Sequence, residues 1–290
     1  MPINTLPNLF LIGAPKCGTS SLHFYLDQHP DISMSAEKEP YVFDSEDWRV
    51  RLARYEGQFD LTTTWRGESS VRYTMYPKYG DVPARIYRAV PDARLLYLVG
   101  DPIERLISHY VQAVAGGVES RSIEEALSDF TNPRNPYVSV SCYATQIDRY
   151  LAHFDLSSLC VLEQSELRHD QPKTLGRVFA FLDVDADFRS WRYRTEVGTR
   201  RDQVRFTSLG GRLRETKAGR AVRSLPLEIK QPIIRTARLM LARKVTRPQL
   251  APALRAELVD FLRPEIERLR GMTGMALEDW PDRNLASSSA

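Results

Sequence analysis

FLIGAPKCGTSSLHFYL, residues 10–26, is the stretch that decides the fold. A continuous apolar run ends at Gly13, a short loop follows, and apolar residues then recur at helical spacing in TSSLHFYL. This order predicts a buried strand, a phosphate-binding loop and a helix. The loop departs from the pattern G-x-x-x-x-G-K-[ST] because Thr19 stands at the lysine position, and the loop's own lysine, Lys16, comes three residues earlier. The sequence therefore predicts a phosphate cradle whose cation lies in the middle of the loop.

Length and composition are those of an ordinary globular protein. The 290 residues allow one large domain or two small ones, and the 42% hydrophobic and 27% charged residues are ordinary for a globular protein. The three cysteines are widely spaced, so neither a disulfide framework nor a C-x-x-C metal pattern is predicted. No apolar stretch reaches the ~18 residues of a membrane-spanning helix, and the N-terminal apolar run lacks the charged flank of a signal peptide. We therefore expect a single soluble domain over 1–290, located in the cytoplasm.

Strand and helix patterns alternate along the chain, which predicts a doubly wound parallel sheet flanked by helices. The predicted strands are NLFLIG (8–13), ARLLYLVGDP (93–102, including the turn that follows it) and LCVLEQSEL (159–167, ending in a loop). The helices predicted after the second and third of them are IERLISHYVQAV (103–114) and QPKTLGRVFAFLDV (171–184). Ligands of such sheets bind beyond the carboxyl ends of the strands. We therefore expect residues 13–20, 100–108 and 163–166 to converge.

The sharpest change in composition is the basic segment 189–248, which carries 17 Lys+Arg against 4 Asp+Glu, a net charge of +13. Since the whole chain carries +3, the remainder carries 3 − 13 = −10. This asymmetry indicates an anionic ligand or an acidic surface, and we interpret the segment as a largely helical lid. The alternative is the solvated faces of amphipathic helices. Nucleic acid is not favoured, because no binding module is recognised and stacking aromatic residues are not interleaved with the cations.

Part of the basic segment, IIRTARLMLARK (233–244), has apolar residues between its cations, as an interfacial membrane helix does. The alternative is a helix that packs on the sheet with its basic face near the anionic ligand. We favour this alternative over contact with a membrane.

Loops of this kind bind phosphate through backbone N–H groups and the positive end of the following helix. Gly18 permits a tight backbone, and Thr19 and Ser20 offer hydroxyl and N–H groups in the first helical turn. A magnesium–ATP enzyme is disfavoured, because the lysine that reaches a triphosphate chain is missing and LLYLVGD (95–101) lacks the context of a Walker B strand. A donor with one 5′-phosphate and a transferable anionic group fits better, with Lys16 stabilising charge on the leaving group.

The sequence LIGAPKCGTSSLHFYLDQHP (11–30) resembles the 5′-phosphosulfate-binding motif of sulfotransferases that use 3′-phosphoadenosine 5′-phosphosulfate. It is most similar to the branch that contains the heparan sulfate N- and 3-O-sulfotransferases and many bacterial carbohydrate sulfotransferases. The resemblance continues in the family's order through KEPYVFD (38–44), GESSVRY (67–73), DPIERLISHY (101–110), CYATQIDRYLAHF (142–154), VLEQSELRHDQPKTLGRVFAFLDV (161–184) and LRPEIERLRGMTGMALEDW (262–280). The order of these segments makes the family assignment strong.

The resemblance implies metal-free, in-line transfer of a sulfuryl group to an acceptor hydroxyl of a carbohydrate, a glycolipid or a small metabolite. The product of the donor is then adenosine 3′,5′-bisphosphate. Lys16 is implied to contact the phosphosulfate and assist departure of the nucleotide, and Glu39 to act as the general base that takes the hydroxyl proton. The residues implied to hold the 5′-phosphate are Lys16, Cys17, Gly18, Thr19 and Ser20. Glu39 has a structural alternative, an ion pair with Lys38.

The 3′-phosphate site departs from the family pattern. The resemblance implies that Ser108 binds this phosphate, but Gly100 stands where the family has an arginine. Replacement cations are Arg105, which has the alternative of bracing the structure, and Arg200 and Arg201 in a basic loop that includes Arg205 as well. Gly100 also keeps open a second function, a nucleotide-binding protein without catalysis, and the glycine spacing of the loop keeps open a third, a P-loop kinase.

The acceptor side departs from the family pattern at two positions. Tyr41 replaces a family histidine, and Ser69 replaces the lysine of the 3-O-sulfotransferases. Glu68, next to Ser69, is predicted to orient Lys16 or the acceptor. His109 is interpreted as a helix-face residue. The two departures indicate an acceptor other than that of the glycosaminoglycan enzymes.

Overall fold

The computed structural model describes residues 5–195 and 245–281, together with the backbone of two short strands at 204–206 and 242–244. Its main sheet has five parallel strands in the order β2-β3-β1-β4-β5. They are β1 (Leu9–Gly13), β2 (Ile32–Met34), β3 (Trp65–Ser69), β4 (Arg94–Val99) and β5 (Leu159–Glu163). The predicted doubly wound parallel sheet is confirmed.

Helices flank this sheet on the connections between strands. They are α1 (Thr19–Leu26), α2 (Trp48–Arg51), α3 (Val82–Ala89), α4 (Pro102–Gly116), α5 (Ile123–Leu127), α6 (Tyr143–Leu151), α7 (Gln164–His169), α8 (Gln171–Phe181) and α9 (Pro252–Thr273). Short 3₁₀ turns cover Leu52–Tyr55, Val71–Thr74, Ser139–Ser141, Leu156–Ser158 and Trp191–Arg194. The strand–loop–helix unit predicted around Gly13 is present as β1, the loop and α1.

The two central strands are buried on both faces. Residues 9–12 of β1 and 95–99 of β4 have no exposed surface, which explains why their sequences read as continuous apolar runs rather than as alternating patterns. Since their side chains are held on both faces, the loops at their carboxyl ends start from fixed positions.

Three strands of the main sheet differ from the prediction. β2 and β3 were not predicted, because β2 has three residues and β3, WRGES, contains glycine and charged residues that strands disfavour. The prediction that β5 ends in a loop is wrong, since α7 begins directly after Glu163. The buried side chain of Leu167 in α7 supplies the apolar contact that holds this short helix.

The C-terminal segment packs next to the carboxyl end of β5. Glu265 of α9 accepts hydrogen bonds from the backbone N–H and the hydroxyl of Thr145 at 2.9 and 2.8 Å. The indole of the buried Trp280 donates to Glu163 Oε1 at 2.8 Å. The Trp280 bond fixes the last residue of β5 from a point 117 residues away in sequence, and the Glu265 bonds join α9 to α6.

The basic segment contributes a second, two-stranded sheet. β6 (Val204–Phe206) and β7 (Ala242–Lys244) pair antiparallel. The helix predicted over 233–244 is therefore wrong at its end, and the remainder of that prediction lies outside the described residues. In the described part of the chain, no helix is both long enough and apolar enough to cross a membrane.

Candidate functional site

The loop after β1 depends on glycine at two positions. Gly13 has φ of +152°, and a Cβ atom there would collide with the hydroxyl of Thr74. Gly18 has φ of +97° and stands immediately before α1. Both conformations are accessible to glycine and costly for other residues, so the two glycines fix how sharply the chain turns from β1 into α1.

The N-terminus of α1 is built to receive an anion. Gly18 has no side chain with which to cap the first N–H groups of the helix, and the first turn contains no acidic residue. The positive end of the helix is thus left for a ligand. Lys16 adds a cation to the same loop and has φ of +75°, an unusual conformation of the kind that clusters at functional sites.

Neighbouring strands brace this loop. The Ala14 N–H donates to the Leu98 carbonyl at 2.7 Å, and the Tyr143 hydroxyl donates to the Gly100 carbonyl at 2.8 Å. The Tyr143 oxygen also lies 3.8 Å from Cys17 Sγ. Burial raises the pKa of the Cys17 thiol to about 11, so Cys17 is a packed thiol at neutral pH rather than a nucleophile.

One cavity of about 1050 Å³ opens in front of the loop. Its lining includes Lys16, Cys17, Gly18, Thr19 and Ser20, together with Glu39 from the connection after β2. The structure therefore brings all the residues predicted to hold the 5′-phosphate and the predicted base to the wall of a single cavity.

Glu39 is held from two sides. Lys38 Nζ lies 2.9 Å from Glu39 Oε1, and the Tyr41 hydroxyl donates a short hydrogen bond to Glu39 Oε2. The ion pair that the sequence offered as an alternative role is thus present in a residue that also faces the cavity. Glu39 and Tyr41 have φ of +65° and +50°, so two further left-handed residues lie at the same site as Lys16.

Tyr41 is itself fixed by arginines. The guanidinium of Arg72 lies 3.8 Å from the centre of the Tyr41 ring, a cation–π contact. Arg72 also pairs with Asp44 at 2.9 Å, and Arg51 donates to the Tyr41 carbonyl at 3.1 Å. Sequence comparison marked Tyr41 only as a departure from a family histidine, whereas the fold gives it a defined role in orienting Glu39.

Glu68 has no exposed surface and is not among the residues that line the cavity. The Ser70 hydroxyl donates to Glu68 Oε2 at 3.1 Å, and the hydroxyls of Tyr55 and Tyr73 lie beside the carboxyl group. Burial raises the pKa of Glu68 from its ordinary value of 4.5 to about 7. The carboxyl group therefore lies behind the site, and its predicted role in orienting Lys16 or the acceptor stays a prediction.

We expect Glu68→Gln to remove a pH dependence of stability. Folded protein binds the Glu68 proton more tightly than unfolded protein, so this group makes the free energy of unfolding fall as pH rises from its ordinary pKa of 4.5 through about 7. The full change corresponds to about 3 kcal/mol. Urea unfolding at pH 5 and pH 8 should show a smaller loss of stability in Glu68→Gln than in the parent chain. The exposed Glu56→Gln is the control; equal pH dependence in all three proteins would contradict the expectation.

Gly100 stands where the family has an arginine, and the side chains of Gln164 and Cys17 lie next to it. A Cβ atom at Gly100 would lie 3.0 Å from Gln164 Oε1 and 3.4 Å from Cys17 Sγ. Gln164, the first residue of α7, lines the cavity and contacts the loop through its amide, 3.5 Å from the Lys16 carbonyl. The convergence predicted for 13–20, 100–108 and 163–166 is therefore present where Gly100, Cys17 and Gln164 meet, with a neutral amide next to Gly100.

A cation does reach Ser108, and it comes from the far end of the basic segment. Arg247 Nη1 donates to the Ser108 hydroxyl at 3.1 Å, while its Nη2 pairs with the Glu104 carboxylate at 2.6 Å. Ser108 and Glu104 lie one turn apart on α4. Like Arg105, Ser108 and Arg247 are not among the residues that line the cavity. Sequence reasoning missed Arg247, for which the only signal was its place within the net charge of 189–248.

The other predicted cations take different positions. Arg105 is buried, where its Nε donates to the Ser141 hydroxyl at 2.7 Å and its Nη2 to the Tyr137 carbonyl. Those bonds fit the bracing alternative, and Arg105 is not among the cavity-lining residues. Arg200 and Arg201 lie outside the described residues, so their contact with a phosphate stays a prediction.

Asp101, at the carboxyl end of β4, has a structural role. Its carboxylate caps α4 by accepting from the N–H groups of Ile103 and Glu104 at 2.8 and 3.1 Å. Asp101 stands where a Walker B aspartate would be expected, and its carboxylate is already used by these two hydrogen bonds. Across the described ranges, no group of three or more His, Cys, Asp or Glu side chains is arranged to hold a metal ion.

The five-stranded parallel sheet, with a glycine-bounded loop between the carboxyl end of β1 and α1, defines an α/β fold of the P-loop-like class. Residues 6–197 match the family model described as the sulfotransferase domain. Since this match covers most of the chain, the protein belongs to the sulfotransferase family.

Individual relatives agree with the family. Human heparan sulfate glucosamine 3-O-sulfotransferase 3B1 is 29% identical over 187 residues, which cover 62% of this chain and 46% of that protein. The bifunctional heparan sulfate N-deacetylase/N-sulfotransferase 1 of Caenorhabditis briggsae is 25% identical over 199 residues, covering 62% of this chain and 23% of that protein. The chain thus spans less than half the length of these curated relatives.

Among solved structures, a sulfotransferase from Alicyclobacillus acidocaldarius superposes with a TM-score of 0.64 at 27% identity. The match covers 95% of this chain and 98% of that one. The resemblance read from the sequence to this family, and to its heparan sulfate and bacterial members, is therefore confirmed.

Proposed function

We propose that this protein transfers a sulfuryl group from 3′-phosphoadenosine 5′-phosphosulfate to an acceptor hydroxyl, without a metal ion. The main support for this function is one observation: Lys16, Glu39 and the N-terminus of α1, which has no side-chain cap, all line the same cavity. Membership of the sulfotransferase family supports the same chemistry. Within the predicted range of carbohydrate, glycolipid or small-metabolite acceptors, relatives named for heparan sulfate support a carbohydrate.

The donor end of the cavity fits a 5′-phosphosulfate. The N–H groups of Thr19 and Ser20 and the positive end of α1 would hold the phosphate. Lys16 would neutralise charge that develops on the bridging oxygen as the S–O bond to the nucleotide breaks. The electron pair of that bond leaves with adenosine 3′,5′-bisphosphate.

On the acceptor side, the oxygen of the hydroxyl forms the new bond to sulfur while its proton passes to Glu39. Tyr41 and Lys38 hold this carboxylate in position. A carboxylate whose two oxygens are already oriented loses little freedom when the acceptor binds, which favours proton transfer in the transition state.

Arg247 is our choice for the cation that reads the 3′-phosphate. It already contacts Ser108, the residue that the family resemblance assigns to this phosphate, and it replaces the charge missing at Gly100. Glu104 would hold Arg247 in place without nucleotide and compete with the phosphate for its guanidinium. A planar guanidinium suits a phosphate because it donates two parallel hydrogen bonds.

Calorimetric titration with adenosine 3′,5′-bisphosphate, AMP and magnesium–ATP tests the donor class. We expect tight binding of the bisphosphate, much weaker binding of AMP and no requirement for magnesium. Equal binding of the bisphosphate and AMP would mean that the 3′-phosphate is not read. Preference for magnesium–ATP would overturn the proposed donor and favour a P-loop kinase, and bisphosphate binding with no turnover in any assay would favour a non-catalytic nucleotide-binding protein.

We expect Arg247→Ala to weaken bisphosphate binding by about 30-fold, which corresponds to about 2 kcal/mol for one charge-assisted contact. Binding of AMP should not change, because AMP lacks the 3′-phosphate. The same titration gives both values. Arg263→Ala removes an arginine that pairs with Asp260 on α9 and serves as the control. An unchanged bisphosphate affinity in Arg247→Ala would assign the role to another residue, with Arg200 and Arg201 the next to replace.

A further inference from the structure

Part of the cavity lining consists of residues that are not predicted to hold the donor. We call this surface the acceptor wall. Its described residues are Glu39, Tyr41, Val71, Arg72, Met75, Gln112, Ala113, Gly116 and Val118. Arg72 stacks on Tyr41, and Tyr41 bonds Glu39, so the wall is continuous with the proposed base.

The position of the wall along α4 separates it from the donor. Ser108, at the proposed 3′-phosphate site, and Gly116, at the end of the helix, are eight residues apart, which corresponds to about 12 Å along the axis. Ala113, Gly116 and Val118 line the cavity near the end of α4 that is remote from Ser108, and we assign this part to the acceptor.

The charges of the acceptor wall are matched within the protein. Glu39 pairs with Lys38 at 2.9 Å. Arg72 pairs at 2.9 Å with Asp44, whose side chain is 3% exposed. Among the described wall residues, Arg72 is the only cation, and its guanidinium is already shared between Asp44 and the Tyr41 ring. The other described cations that line the cavity belong to other elements: Lys16 to the loop after β1, Arg168 to α7 and Arg194 to the 3₁₀ turn Trp191–Arg194.

A polyanionic acceptor requires more positive charge than this. A sulfated polysaccharide brings several negative groups to the surface, and each one that loses water without meeting a cation weakens binding. His109, which also lines the cavity, is neutral at physiological pH, because burial lowers its pKa to about 3. The described wall therefore lacks the electrostatic surface that would recognise such a chain.

Apolar side chains dominate the rest of the wall. Val71, Met75 and Ala113 face the cavity, and Val118 stands at its edge after the left-handed Gly117. Val118 is 88% exposed, far more than the other cavity-lining aliphatic residues. An apolar group of a bound molecule would cover this surface and exclude water from it.

We propose that the acceptor is an uncharged hydroxyl compound with an apolar body next to the reacting group, rather than a polyanionic polysaccharide. This acceptor class rests on the proposed sulfuryl transfer. The hydroxyl meets Glu39, and the apolar body lies along Val71, Met75 and Val118.

Two series of acceptors test this class: n-alkyl glucosides from methyl to octyl, and 4-alkylphenols with the same range of chain lengths. Formation of adenosine 3′,5′-bisphosphate and of the sulfated product is measured for each compound. We expect kcat/KM to rise by about two- to fourfold per methylene over the first several carbons, the range given by burial of a CH2 group. A rise in the glucoside series alone, the phenol series alone or both supports an apolar body and tells which hydroxyl is used.

A matched pair of valines locates the effect. Val118→Ser should lower the octyl-to-methyl ratio of kcat/KM at least fivefold. Val50 is 77% exposed and does not line the cavity, so Val50→Ser should leave the ratio unchanged. Because both valines are largely exposed, neither substitution is expected to unfold the protein.

The outcomes separate the acceptor class from the reaction itself. No dependence on chain length in either series, or a higher kcat/KM for N-sulfated heparan oligosaccharides than for the octyl compounds, overturns the acceptor class. Binding of adenosine 3′,5′-bisphosphate without transfer to any alkyl compound overturns it as well, while the donor site stands. Failure to bind the bisphosphate overturns the proposed function and the acceptor class together.

Discussion

Lys16→Ala is expected to lower kcat for sulfuryl transfer by about 10²- to 10³-fold, the effect of removing one group that stabilises charge in a transition state. The reason is its place in the loop. Lys16 lines the cavity beside the N-terminus of α1, where the leaving nucleotide would gain negative charge. Affinity for adenosine 3′,5′-bisphosphate should fall much less than kcat, since the loop N–H groups and Arg247 remain. Steady-state kinetics and calorimetry on the same preparation measure the two quantities.

Two variants make the Lys16 result interpretable. Lys173→Ala removes an exposed lysine at the start of α8, outside the cavity, and should leave kcat unchanged. Lys16→Met keeps most of the side-chain stem and should lose as much kcat as Lys16→Ala, because the charge is what matters. If Lys16→Ala retains kcat within threefold of the parent chain, Lys16 does not stabilise the leaving group.

Glu39→Gln is expected to lower kcat by about 10²- to 10⁴-fold, the range for loss of a general base. The amide keeps the shape of the side chain and can still accept the Tyr41 hydrogen bond, but it cannot take up a proton. Binding of adenosine 3′,5′-bisphosphate should not change. The exposed Glu37→Gln, two residues away, is the control.

The acidity of the acceptor distinguishes a base from a merely structural carboxylate. A phenol loses its proton with a pKa of about 10, whereas a sugar hydroxyl holds its proton far more tightly. Glu39→Gln should therefore cost less kcat with a nitrophenol than with an alkylphenol, and most with an alkyl glucoside. An equal loss with all three acceptors would show that Glu39 acts through structure, through its pair with Lys38 and its bond to Tyr41.

The candidate site combines features that sequence could predict with features that it could not. The loop residues Gly18, Thr19 and Ser20 are contiguous, so a local pattern is enough to assign them. Glu39 was found through resemblance to a family motif, and the fold brings it to the same cavity as Lys16. Arg247 escaped prediction because 139 residues separate it from Ser108 and no local pattern joins them.

Side-chain environment also lies beyond what a sequence pattern reports. Arg105 matched the family's phosphate motif, yet it is buried against Ser141. Glu68 lies in GESSVRY (67–73), which resembles a family motif, yet it is enclosed with Tyr55 and Tyr73. Packing by residues distant in sequence decides whether a charged side chain faces a cavity or the interior. The hydrophobic periodicity and the composition of the sequence do not report this packing.

The sequence by itself determined that this protein has a parallel sheet, with β1, β4 and β5 among its strands, and that a glycine-bounded loop joins β1 to α1. The long apolar runs of β1 and β4 can bury their side chains on both faces only when the sheet lies between two layers of the protein. Gly13 and Gly18 adopt backbone conformations that are costly for other residues, so they permit the turn between β1 and α1. Only the tertiary structure decided which distant groups complete the site: Arg247 at Ser108, Gln164 beside Gly100, and Tyr41 on Glu39. The physical reason is the separation along the chain. Patterns of strands, turns and helices depend on residues that are neighbours in sequence, whereas hydrogen bonds and ion pairs join any groups that the finished fold brings within about 3 Å.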